Sequence, residues 1–299
     1  MLDFRDISIS DRRLVEGYNA KSGIICCEYS FGYCYLWGTV SGREIAERCG
    51  ALYIRSGLAG QRKRYTMPIG DIAPEDGVRR IMEDAEQRGC EFFISAMCER
   101  DKTAVEAAFP GVFEYTGRRD LADYIYLPDR LASLEGKQLH GKRNHCNRFM
   151  AEYGDRYSYE PLGGENLRQA DEFHFEWIEQ NKQKQHIELD METDVISTAL
   201  ADYDAVGLTG GLIRVDGRVV AFTYGSAIGR DVFVVHAEKA DHDIPGLYSM
   251  INREFVRREL MGYQYINREE DLGIEGIRLS KLSYKPDIIN MRYDAALRK

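Results

Sequence analysis

Two stretches of this chain read as the same piece of architecture. Residues 74–88 suit a helix that Gly89 stops, and residues 90–95, Cys-Glu-Phe-Phe-Ile-Ser, follow as a short aromatic strand. Residues 247–261 again suit a helix, Gly262 stops it, and residues 263–267, Tyr-Gln-Tyr-Ile-Asn, follow. A helix closed by glycine and leading directly into an apolar strand is half of a crossover unit, which needs a sheet beside it. Each copy then continues into another helical stretch, 102–109 and 276–282, and another strand-like run.

Upstream of the second copy, residues 209–236 alternate as antiparallel strands do. Residues 211–215 and 218–224 flank Asp216-Gly217, a strong hairpin signal, and residues 232–236 follow a second turn near Gly229-Arg230-Asp231. Helix, antiparallel meander, helix, strand, helix, strand is the order of an α/β acyltransferase-like module, and it occurs twice. The predicted fold is therefore α/β (α+β), with each unit a mixed, largely antiparallel sheet flanked by helices. The expected units are residues 1–134 and 135–299. At 299 residues and 44% hydrophobic content the chain can bury cores for both. Residues 131–137 read as a short turn between them and residues 138–153 as an amphipathic helix. Leu139, Cys146, Phe149, Met150 and Tyr153 share its apolar side, with Lys142, Arg143 and Asn147 elsewhere around it. Glu165-Asn166 and Thr193-Asp194 read as ordinary capped helix starts.

Composition excludes several function classes. No apolar run approaches the roughly 20 residues that span a bilayer, and the first residues lack the order of a signal peptide, so a cytoplasmic location is expected. A formal charge of −9 opposes general coating of nucleic acid or acidic membranes. Local basic patches remain, at Lys137, His140, Lys142, Arg143, His145 and Arg148, and at Arg55 with Arg62-Lys63-Arg64. The seven cysteines contain no Cys-x-x-Cys pair, so neither a disulfide framework nor a metal site is expected. Nothing basic flanks Cys26-Cys27 in sequence to stabilise a thiolate.

The chemistry concentrates near the end. After the strand at 263–267 come Asn267-Arg268-Glu269-Glu270-Asp271-Leu272-Gly273, and the next helix sets Arg278 and Lys281 three residues apart, able to reach one pocket at the carboxyl end of a sheet. That suits an anion or a developing negative charge. It equally suits a solvated turn followed by a helix with surface cations.

Two motifs carry a resemblance: Gly141-Lys142-Arg143-Asn144-His145-Cys146-Asn147-Arg148-Phe149, and residues 267–293 with Gly276, Arg278, Lys281, Lys285 and Pro286 at their centre. With Tyr29-Ser30-Phe31, Trp37, Tyr53-Ile54-Arg55, Asp123-Tyr124-Ile125-Tyr126 and Arg292-Tyr293, they make nearly the whole chain resemble the uncharacterised bacterial family related to the C-terminal domain of phosphatidylglycerol lysyltransferases. The resemblance implies a tandem GNAT fold and an aminoacyl-tRNA donor, with Gly276, Arg278, Lys281 and Lys285-Pro286 at the active site. The multi-span flippase region of the lysyltransferases is absent from this sequence, which puts a lipid acceptor in doubt.

Coenzyme A would need a glycine-rich turn at a helix start. Residues 237–246 offer Gly246 alone, with Glu238, Asp241 and Asp243 as like charges; residues 70–76 are no better suited. An aminoacyl ester is thus favoured over acetyl-coenzyme A, as a co-substrate without a resident cofactor. For its transfer, Lys281 or Arg278 would stabilise the carbonyl oxygen, while Glu238 and Asp271 would bind the donor ammonium or act as base. Asp271 as a helix cap and Arg278 as an ion-pair partner of Glu275 or Glu238 are the structural alternatives. Lys142, Arg143, Asn144 and Asn147 could hold phosphates or a tRNA 3′ end, or form a strut between the halves. Asn267 joins the candidate binding set, and Tyr284 and His236 could move protons or serve as satisfied core residues. The acceptor would be a small molecule or lipid headgroup bearing an amine or hydroxyl. Coenzyme A-dependent N-acetylation and a non-catalytic binding module are the rival readings.

Overall fold

The computed structural model describes residues 1–181 and 189–298. The strands are β1 (Arg5–Asp6), β2 (Glu44–Arg48), β3 (Ala51–Ser56), β4 (Arg64–Tyr65), β5 (Ile69–Gly70), β6 (Phe93–Met97), β7 (Phe113–Tyr126), β8 (Tyr157–Pro161), β9 (Thr209–Val215), β10 (Arg218–Ile228), β11 (Val232–Ala240), β12 (Tyr265–Asn267) and β13 (Ile288–Leu297). The helices are α1 (Arg12–Asn19), α2 (Phe31–Ser41), α3 (Pro74–Gln87), α4 (Glu99–Ala108), α5 (Pro128–Ser133), α6 (His140–Tyr153), α7 (Asn166–Asn181), α8 (Leu189–Ala201), α9 (Tyr203–Val206), α10 (Leu247–Phe255) and α11 (Glu275–Ser283).

Among the described residues the strands form one mixed, mostly antiparallel sheet, ordered β1-β2-β3-β4-β6-β13-β7-β12-β11-β10-β9-β8, with β5 alongside β3. β7 joins the halves: it pairs with β13 along most of its length and with β12 at Ile125 and Tyr126. The last strand, β13, crosses back to lie between β6 and β7, so the C-terminal segment completes the sheet of the first half.

Helices cover both faces. In the second half, α2, α7 and α8 pack one face around Phe173, Trp177, Phe222 and Tyr224. The other face meets α5, α6 and α10 around Leu131, Phe149, Phe233 and Phe255. In the first half, Tyr53, Tyr65, Val78, Ile81 and Phe113 fill a separate core beneath α3 and α4.

Two local readings are corrected. Part of the segment expected as a turn, residues 131–137, is the end of α5, because Pro128 presets the first helical turn and Asp129 sits at its positive end. Leu134 then closes it in the left-handed region. Thr193-Asp194, expected as a helix start, lies inside α8, which runs from Leu189.

Candidate active site

The site forms where two parallel strands part. β12 pairs with β11 over Tyr265–Asn267 opposite Val232, Phe233 and Val234, whereas β11 continues to Ala240. Beyond that point side chains bridge the gap instead of backbone. Glu238 Oε1 accepts from Arg268 Nη2 at 3.0 Å, and its other oxygen accepts from Asn252 of α10 at 3.1 Å. His236 Nδ1 lies 2.7 Å from Glu269 Oε1. Between β10 and β11 the register slips: Tyr224 opposes Ala237 and Gly225 opposes Val235, leaving His236 as the extra residue of a bulge. The bulge turns the imidazole toward β10, where Ser226 Oγ is 2.7 Å from Nε2. Burial pushes the ring's pKa down to about 3, so the imidazole is neutral at physiological pH.

Glu269 holds its place through a strained backbone, φ 57°, pinned by its amide donating to Asn267 Oδ1 at 2.7 Å. Asn267 is fully buried and donates in turn to Asp123 Oδ2 at 2.9 Å and the Ile25 carbonyl at 2.7 Å. Thus Asn267 shapes the turn and braces the neighbouring strand.

Cations gather around the end of β12. Lys142 of α6 lies 4.1 Å from the centre of the Tyr284 ring, and Arg268 stacks on the same ring at 4.7 Å. Burial, then the charge of Arg268, pushes the Lys142 ammonium down to about 8. Tyr284 is buried, with its hydroxyl 3.4 Å from Ser249 Oγ. Lys281 donates from Nζ to the Glu270 carbonyl; burial lowers its pKa against the pull of Glu270 and Glu269. Lys142 and Lys281, from the linker helix and the last helix, thus come to the same turn: Lys142 shares the Tyr284 ring with Arg268, and Lys281 is bonded to the carbonyl of Glu270.

The remaining expected residues have other partners. Arg278 Nε and Nη2 each donate to Asp271 at 2.8 Å, and Asp271 also accepts from Arg119 at 3.2 Å, Tyr124 at 2.5 Å and the Gly273 amide at 2.8 Å. Burial favours the neutral acid, but the bonds from Arg278, Tyr124 and Gly273 outweigh it and hold Asp271 down at about 2. Arg143 donates to the carbonyls of Leu134 at 2.6 Å and Gly136 at 3.3 Å, fastening α6 to the end of α5. Asn144 and Asn147 are exposed on α6, Asn144 lying 3.3 Å from His140.

Beneath the turn lies a buried charge cluster. Arg292, fully buried on β13, donates to Glu28 at 2.7 Å, to Asp123, and to Cys26 Sγ at 2.6 Å. Cys27, Glu28 and Asp123 lie close enough together to hold a metal ion, but the guanidinium already supplies their positive charge. Burial raises Glu28 to about 7, and burial with the neighbouring Glu269 and Asp123 charges raises Glu270 equally far. The fold thus brings a cation to Cys26 that no flanking residue provides. A hydrogen bond with Cys98 and burial nonetheless keep the Cys26 thiol well above its usual range.

Ser226, Arg268, Glu269, Glu28 and Arg292 were not singled out individually as site residues from the sequence. Arg268 and Glu269 stand inside the quoted polar turn, but the partners that distinguish them lie on β11.

The mixed, mostly antiparallel sheet with helices on both faces has a tandem GNAT-like fold. Within that class, the profile of the family described as phosphatidylglycerol lysyltransferase, C-terminal, matches residues 25–296, and the chain belongs to this family. It is 38% identical to a conserved protein of unknown function from Bacteroides thetaiotaomicron, whose crystal structure matches over 100% of both chains with a TM-score of 0.95. The C-terminal domain of a proposed lysylphosphatidylglycerol synthetase from Agrobacterium fabrum shares the fold at 13% identity and TM-score 0.69, covering 97% of this chain and 92% of that one. An uncharacterised protein of Mycoplasmoides gallisepticum is 25% identical over 173 residues, 57% of this chain. That match spans 54% of the curated relative, about half its length. No helix among the described residues is long and apolar enough to cross a membrane.

Proposed function

We propose that this protein moves an aminoacyl group from an aminoacyl-tRNA to an amine or hydroxyl acceptor, a small molecule or a lipid headgroup, at the parting of β11 and β12. The observation that carries the reading is the meeting of Lys142, Arg268 and Lys281 around one turn, beside Glu238 and His236. Lys281 faces the carbonyl oxygen as charge develops on it, in a site where burial strengthens the interaction. Glu238 receives the donor's ammonium. Neutral His236 takes the proton from the acceptor. Lys142, with Asn144 and Asn147 farther along the exposed side of α6, meets the tRNA end. Arg143 and Arg278, engaged elsewhere, support the site rather than touch substrate.

The start of α10 speaks against coenzyme A. Gly246 caps that helix with φ 84°, and a Cβ built there would sit 2.1 Å from the His145 carbonyl oxygen of α6. The helix end where pyrophosphate would bind is packed against the linker helix, with Glu238, Asp241 and Asp243 nearby.

Incubation with labelled aminoacyl-tRNA and, separately, acetyl-coenzyme A over a panel of amines and alcohols tests the reading. Expected are acceptor-dependent deacylation of the tRNA, no thiol release, and loss of transfer in Lys281→Ala with the melting temperature nearly kept. Raised salt should weaken tRNA binding steeply. Thiol release with inert aminoacyl-tRNA would establish the acetyltransferase reading instead. Silence with both donors, combined with a ligand that raises the melting temperature, would indicate a binding module.

A further inference from the structure

Three side chains at the site stand in the order of a nucleophile, its base and the acid that orients the base. Ser226 Oγ is 2.7 Å from His236 Nε2, and His236 Nδ1 is 2.7 Å from Glu269 Oε1. They come from β10, from the bulge of β11 and from the strained residue after β12, so the arrangement depends on two irregularities that regular strands would lack. Such a constellation is defined by geometry and role, not by sequence order.

The surroundings complete the chemistry. Gly32, the second residue of α2, comes so close that a Cβ there would lie 2.5 Å from Ser226 Oγ and 2.8 Å from His236 Nε2. The start of an eleven-residue helix is thereby brought against the hydroxyl. The amides of Phe31 and Gly32 precede the first intrahelical bonds and carry the positive end of the helix dipole, the character needed beside an oxyanion. A cavity of about 20 Å³, room for a single water molecule, touches the imidazole and is walled by Tyr33, Trp37, Glu192 and Tyr224.

We propose that Ser226, His236 and Glu269 form a nucleophilic relay in which Ser226 takes the acyl group of a carboxylic ester before the acceptor receives it. This rests on the ester donor proposed above and adds a covalent step. Ser226 Oγ bonds to the ester carbonyl carbon as its proton passes to His236 Nε2. The carbon–oxygen bond to the donor breaks, and the departing oxygen takes that proton. The acceptor amine or hydroxyl then attacks the acyl-serine and gives a proton to Nε2. Ser226 Oγ leaves and recovers it. With water as acceptor the same cycle is slow ester hydrolysis.

A fluorophosphonate probe tests the relay without any assumed donor. Wild-type protein should be labelled once, on the peptide containing Ser226, and Ser226→Ala should not be labelled there. His236→Gln should slow labelling by roughly 100-fold or more, the usual contribution of a general base. Glu269→Gln should slow it less. Ser226→Cys, almost the same size, should carry a thioester after exposure to an activated ester, which covers the case in which Ser226→Ala misfolds. No label at Ser226 on folded wild type, or full aminoacyl transfer by folded Ser226→Ala, overturns the proposal and leaves the donor reading standing. Labelling at Ser226 with no deacylation of any aminoacyl-tRNA supports the relay and removes the donor reading.

Discussion

Arg278 grips Asp271 with two guanidinium nitrogens, each 2.8 Å from a carboxylate oxygen, in the turn that leads into α11. Of the two cations spaced along that helix, one is committed to structure and the other, Lys281, points its ammonium at the strand end. Their difference follows from Asp271, which Arg119 and Tyr124 also hold from β7.

Asp271→Ala should therefore destabilise the protein by about 3 kcal/mol, because Arg119, Arg278 and Tyr124 lose a shared buried partner. Arg278→Ala should cost less, since Arg119 and Tyr124 remain on the carboxylate. Urea unfolding of both variants checks the order, and equal midpoints would refute it. Because the folded pKa of Asp271 is depressed to about 2, its contribution is present above its unfolded value and lost as pH falls through about 2.

Arg292 pairs with Glu28 and Asp123 in a buried site. Arg292→Ala should cost about 3–5 kcal/mol, the usual penalty for leaving buried charge unpaired. Thermal unfolding would show a large fall in melting temperature, and an Asp123→Asn change introduced on top should restore part of it.

Glu270 gives a pH signature of opposite sign to that of Asp271. Unfolded, it loses its proton near 4.3, whereas the fold holds it to about 7, so the folded state binds the extra proton between these values. That stability is present below the unfolded pKa and lost as pH rises through the folded one. Glu270→Gln should gain on wild type between pH 5 and pH 8, by roughly 1–3 kcal/mol given the partial exposure of the group. Chemical denaturation across that range measures the difference, and a difference independent of pH would contradict it.

Lys142, the one lysine of α6, should react at lower pH than an ordinary lysine. With its ammonium held down to about 8, half-maximal modification by an amine-directed reagent is expected near that pH, against about 10.4 for an ordinary lysine. Peptide mapping after brief labelling at several pH values reads it out. Arg268→Gln, which removes the neighbouring charge, should move the midpoint upward.

Much of the architecture was legible because helices and strands leave local periods in a sequence. The meander at 209–236 became β9, β10 and β11, and the two helix–glycine–strand segments became α3 with β6 and α10 with β12. The polar turn after residue 267 was legible as a place for chemistry for the same reason: it follows a strand end and precedes a helix. Arg143 shows where such reasoning stops. Its charge suggested phosphate, but its reach to two carbonyls depends on how α6 folds back on α5, a geometry without a sequence period.

The sequence by itself determined the layered class, the doubled order of elements and the family, since these rest on composition, periodicity and motif. Tertiary structure alone decided that His236 meets Ser226 and Glu269, that Arg292 crosses into the first half, and that Arg278 is occupied while Lys281 faces the turn. Those pairings arise from strand register, one bulge and a strand that returns across the sheet, and each joins residues whose own neighbours in the chain say nothing about the contact.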